Sequence, residues 1–151
     1  MTACYNITFI TGAYALFDLA LNEKRKYILE VPLEYNVHFD NGTLHVRTEA
    51  GFVFDGRSGP KCIDWFAPNL GSLNERVAWH MHDALAYGQS LGFKDTNYAL
   101  KYVLRDQAGY GFKAEIIRLA VSVSKDWYGW PKYGDEWYCN VGKVETIFHE
   151  V

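Results

Sequence analysis

The stretch "KYILEVPLEYNVHFDNGTLHVRTEAGFVF", residues 26–54, decides how this chain is read. Apolar and polar residues alternate along it, as in Leu33-Glu34-Tyr35-Asn36-Val37-His38-Phe39. A period of two is the signature of a β-strand, whose successive side chains point to opposite faces. Asp40-Asn41-Gly42 interrupts the alternation once. Asn-Gly between β-rich runs is a strong hairpin signal, because both residues tolerate a positive φ in a tight turn. The stretch predicts an antiparallel hairpin.

Downstream of it, "DGRSGPKCIDWFAPNLG" at 55–71 is rich in Gly and Pro and reads as an ordered loop. Helical patterns follow. Ser72 with Glu75 three residues later forms a capping box, which predicts a helix over roughly 73–88. A second helix is expected to open at Asp95 and run to about 107, with Gly109 and Gly111 as punctuation. A third, near 112–125, carries Phe112, Ile116, Leu119, Ala120 and Val123 on one face and Lys113, Glu115, Arg118 and Ser122 on the other. The fold class read from this order is α+β: a small antiparallel sheet in the N-terminal half, then about three helices and an aromatic C-terminal tail.

With 151 residues, 49% hydrophobic and 22% charged, the chain has the composition of one globular domain spanning 1–151. The net charge of -3 comes without a long basic run, the densest being KRK at 24–26, so a nucleic-acid partner is not expected. Cys4, Cys62 and Cys139 stand singly, which argues against a disulfide scaffold and a structural zinc site. "ITFITGAYALFDLAL" at 7–21 lacks a basic flank and contains Asp18, so no transmembrane segment and no signal peptide are expected.

The residues with chemical promise lie in "AWHMHDALAYG", 78–88. At about 100° per residue, His82 falls inside the apolar arc formed by Val77, Ala78, Trp79, Met81, Leu85 and Ala86. His80 points the other way, toward Asn74 and Arg76, and is expected to face solvent; Asp83 lies at the border of the arc. A two-histidine metal site on one helix needs i, i+4 spacing, whereas His80 and His82 diverge by about 160°. They are not expected to share a metal. An inward imidazole needs a partner for each ring nitrogen. His82 is therefore either a satisfied core histidine or a base with one nitrogen anchored and the other free. Asp95 reads as an N-cap, and Asp55 and Ser58 as turn residues. "GRSG" does not have the spacing of a nucleophile elbow.

"GFVFDGRSGPK" at 51–61, the His82-Asp83 pair, and Asp95 on the next helix resemble, in that order, an uncharacterised family of small phage and prophage proteins. The resemblance covers about residues 26–125. It departs at Phe54, where the family has Thr, and at Ser122, where an Arg is expected after Ala-Val. It implies a phage origin, a place in the host cytoplasm or the virion, and no defined activity. The same residues are more weakly similar to the site of small secreted phospholipases. That similarity implies His82 as the general base, Asp95 as the carboxylate that orients it, and Ca²⁺ bound by Asp83, Asp55 and the backbone of Gly56. Ca²⁺ takes carboxylate and carbonyl oxygens, and as a Lewis acid it polarises an ester carbonyl.

The tail "DWYGWPKYGDEWYC", 126–139, holds three of the five tryptophans. It reads either as a segment that wraps back to finish the core or as a contact surface. In the second case Trp127, Trp130, Tyr133 and Trp137 would meet a phage structural protein or a host protein. Two functions follow: a hydrolase-like protein cleaving a lipid or cell-envelope ester, or a non-catalytic virion component or host-factor binder.

Overall fold

A computed structural model describes residues 1–17, 19–21, 27–54, 71–128 and 140–151, with backbone alone at 20–21 and 124–128. Its strands are β1 (Cys4–Thr11), β2 (Ala20–Leu21), β3 (Tyr27–Ile28), β4 (Leu33–Phe39), β5 (Gly42–Thr48), β6 (Val53–Phe54) and β7 (Val144–Glu150). Its α-helices are α1 (Leu73–Gly88), α2 (Phe93–Asp106) and α3 (Lys113–Tyr128), and Ala13–Leu16 form a short 3-10 turn. The fold is α+β.

The alternating run becomes the centre of an antiparallel sheet of order β1-β4-β5-β7. Leu33 pairs with Thr48, Tyr35 with Val46, Val37 with Leu44 and Phe39 with Gly42. All of these are buried, whereas Glu34, Asn36, His38, Thr43, His45 and Arg47 make the opposite, partly wet face. A short second sheet has the order β2-β3-β6. Asn140 extends β6 with its side chain: its Oδ1 accepts from Val53 N at 2.8 Å and its Nδ2 donates to Val53 O at 2.8 Å.

The hairpin turn differs from the expectation. Its two loop residues are Asp40 and Asn41, and Gly42 already pairs with Phe39. Neither Asn41 nor Gly42 has a positive φ. Glycine is required at 42 for another reason: a Cβ there would stand 2.5 Å from His149 O and 2.7 Å from Phe148 Cζ. The approach of β7, not the twist of the turn, selects the residue.

β1 and β7 were not read from the sequence. Both are outer strands of the sheet, and their burial does not alternate cleanly; in β1, Tyr5 and Ile10 are exposed. Two register irregularities in the β1–β4 ladder blur its period further. The sheet is thus built from both ends of the chain rather than from its N-terminal half alone.

α1 spans the expected residues. Ser72 Oγ accepts from Glu75 N at 3.3 Å, and Glu75 Oε2 accepts from Gly71 N at 3.1 Å. The Tyr110 hydroxyl donates to the other Glu75 oxygen, tying the start of α1 to the α2–α3 connection. Gln89, with φ 55°, stops the helix in the left-handed conformation.

α2 starts at Phe93 behind Gly92, two residues before the expected start, so Asp95 lies in the first turn and is not the N-cap. α3 presents a different face from the one expected. Ala114, Ile117 and Val121 are buried, while Phe112, Leu119 and Val123 are 78%, 52% and 54% exposed. The helix carries two apolar stripes, and periodicity alone does not say which one meets the core. Flanking polar groups settle the packing: Glu115 bonds Lys101 of α2 at 2.8 Å, and the Arg118 guanidinium lies 4.4 Å from the centre of the Tyr98 ring. No helix among the described residues is long and apolar enough to cross a membrane.

Candidate functional site

α1 is buried on both sides from Val77 to Ala86, with the strands on one side and α2 on the other. That placement overturns the solvent-facing expectation for His80, which is fully buried. The two imidazoles do diverge, as helical geometry requires, but each reaches a packed layer.

His80 Nδ1 lies 2.7 Å from Tyr35 Oη and Nε2 lies 2.9 Å from Thr48 Oγ1. Phe52 and Phe54 meet the ring edge-on, with centroids 5.4 and 5.3 Å away. Burial makes the charged form costly and pushes the imidazole pKa down to about 3; the nearby Asp83 opposes this only in part. Burial likewise raises the Tyr35 phenol well above its ordinary value. With both nitrogens engaged, His80 is a neutral pin between sheet and helix.

His82 faces α2. It is 4% exposed, and its Nε2 lies 2.8 Å from Asn97 Oδ1. Its Nδ1 is buried without a hydrogen-bond partner among the described residues, 3.9 Å from Asp83 Oδ1. Asp83 is itself buried. Asn97 Nδ2 reaches Ser122 Oγ of α3 at 3.3 Å, and Ser122 Oγ donates to Arg118 O at 2.7 Å. One chain of polar contacts thus crosses all three helices.

Asp95 does not take part. It is exposed and lines a groove of about 510 Å³ with Lys94, Tyr98, Tyr102, Phe148 and Glu150. The residue that holds His82 is Asn97, two positions on. Its signal was present in the sequence: Asn97 shares a stripe of α2 with the buried Leu100 and Leu104, at i, i+3 and i+7, and a polar residue there needs a buried partner.

Of the expected Ca²⁺ ligands only Asp83 is placed, because Asp55 and Gly56 lie outside the described residues. Among the described residues no group of three or more His, Cys, Asp or Glu side chains could hold a metal. Ca²⁺ takes six to eight oxygens, so the described residues do not assemble that site. Trp130, Tyr133 and Trp137 also lie outside the described residues, and Trp127 belongs to the last turn of α3 rather than to a separate tail. Cys4 offers no alternative nucleophile, since burial pushes its thiol up to about 12.

Comparison of the chain with models of protein families, with curated proteins and with solved structures returns no match.

Proposed function

We propose that the protein is a phage-derived hydrolase of a lipid or cell-envelope ester, working in the host cytoplasm or the virion, with His82 as its general base. One observation carries this reading: a buried imidazole anchored through Nε2 on Asn97, with Nδ1 unpartnered among the described residues beside the Asp83 carboxylate. A buried polar atom without a partner costs on the order of 1–3 kcal/mol, and a catalytic role is one explanation for it.

In the proposed reaction a water donates to Nδ1. As its oxygen adds to the ester carbonyl, one proton passes to His82 Nδ1, which lies 3.9 Å from Asp83 Oδ1. Collapse of the adduct breaks the ester C–O bond, and His82 returns the proton to the leaving alcohol. Base catalysis of this kind contributes about 10²–10⁴-fold. Asn97 takes the orienting role first assigned to Asp95. A Ca²⁺ ion on Asp83, Asp55 and Gly56 belongs to the same proposal; when bound it would polarise the carbonyl.

The test is ester cleavage by the purified protein on phospholipid vesicles and short-chain esters, with and without Ca²⁺. Wild type is expected to turn over and His82→Gln to lose at least about 100-fold while remaining folded. Equal rates in the two proteins, or none in either, would overturn the reading.

A second reading is favoured by the apolar stripe of α3. Phe112, immediately before the helix, and Leu119 and Val123 within it are exposed, and Trp127 follows one turn after Val123. Here the protein is a non-catalytic virion component or host-factor binder. Leu119→Asp and Val123→Asp would then abolish binding to a phage or host protein without lowering the melting temperature.

A further inference from the structure

The contacts around Asn97 carry a direction. A carbonyl only accepts, so the single hydroxyl proton of Ser122 is given to Arg118 O, one turn back in α3. Ser122 Oγ is left with lone pairs and must accept from Asn97, so the nitrogen of that amide faces it, at 3.3 Å. The amide oxygen then faces His82. An amide turned over would set its oxygen against a hydroxyl whose proton is already committed, leaving two acceptors in contact. His82 Nε2, 2.8 Å from that oxygen, must therefore carry a ring proton, and in the neutral ring Nδ1 holds the lone pair.

We infer that Ser122 and Asn97 are positioning residues that select Nδ1 as the basic nitrogen of His82. The inference rests on the reading of His82 as a base, and it names what makes that nitrogen the reactive one. Neither residue touches the reacting atoms. Ser122 lies two contacts away, on a different helix from the imidazole. With Ser122 removed, the Asn97 amide loses the acceptor that orients it and becomes free to turn over. It would then donate to Nε2, and the ring proton would move to Nδ1. That nitrogen would face the Asp83 carboxylate as a donor and could no longer take a proton from water.

The experiment is nitrogen NMR of protein labelled at the histidine rings, in mildly alkaline buffer, for wild type, Ser122→Ala and Ser122→Thr. In wild type the His82 Nδ1 resonance is expected in the pyridine-like range and Nε2 in the pyrrole-like range. In Ser122→Ala both move toward each other as the second tautomer is populated, and Ser122→Thr, which keeps the hydroxyl, restores them. kcat on the ester substrate should fall in proportion to the population protonated at Nδ1, with KM unchanged. A wild-type proton on Nδ1, or ring resonances that do not move in Ser122→Ala, overturns the inference. Ring resonances that behave as expected in a protein that cleaves no ester would leave the tautomer assignment standing and remove the hydrolase reading alone.

Discussion

His80 and His82 stand two positions apart on α1 and are buried in opposite layers, His80 bonded to Tyr35 and Thr48 of the strands and His82 to Asn97 of α2. The difference in their surroundings separates their roles. His80 has both nitrogens engaged and is locked neutral. His82 has one nitrogen engaged and one beside a carboxylate.

The neutral state of His80 ties stability to pH. The ordinary pKa of its imidazole is 6.5, and burial holds it down at about 3 in the folded protein. Between these values the unfolded state binds a proton that the folded state refuses, so stability falls as pH falls through that window and is flat above it. The slope from this group is at most about 1.4 kcal/mol per pH unit. Urea midpoints should drop between pH 6.5 and 5, where carboxylates stay ionised, and His80→Gln should flatten the curve. A wild-type midpoint that does not change over that range would mean that His80 is not held neutral.

Gly42 is expected to be intolerant of any side chain. Gly42→Ala sets a methyl group against the backbone oxygen of His149, which is fixed in the β5–β7 ladder. Overpacking of this kind costs about 1–3 kcal/mol. Thermal unfolding measures it, and a variant as stable as wild type would show that β7 does not approach so closely.

Asn140 stands in for a strand. Replacing it by Leu leaves the Val53 N–H and C=O, both held at 2.8 Å, without their partner in a buried setting. Each lost partner costs on the order of 1–3 kcal/mol, so losing both in Asn140→Leu should destabilise by about 2–6 kcal/mol. Hydrogen exchange at the Val53 amide gives an independent reading: it should speed up in the variant more than at β4 amides.

The two stripes of α3 are told apart by paired substitutions. Ile117→Ala removes a fully buried side chain and should cost about 2–5 kcal/mol. Leu119→Gln changes a side chain that is 52% exposed and should stay within about 0.5 kcal/mol of wild type. The reverse ranking in a denaturant titration would turn the helix around.

The central hairpin, α1 and its Ser72–Glu75 cap were legible because their signals are local: a period of two, and a hydroxyl three residues before a carboxylate. The inward turn of His82 was legible from helical phase, but its partner was misplaced by two residues, at Asp95 instead of Asn97. A helix start read from Asp95 hid the fact that Asn97 lies in the same stripe as Leu100 and Leu104. The burial of His80 was not legible, since helical phase gives the direction of a side chain and not what stands there.

By itself, then, the order of residues determined the central hairpin, the three helices that follow it, and that the two imidazoles of α1 must diverge, because strand pleat and helical pitch are properties of the local backbone. The tertiary structure alone decided that α1 is covered on both sides, that β7 closes on Gly42, and which stripe of α3 meets α2. These are contacts between residues far apart along the chain, and their free energy comes from the surface that each element removes from its neighbour, which no single segment contains.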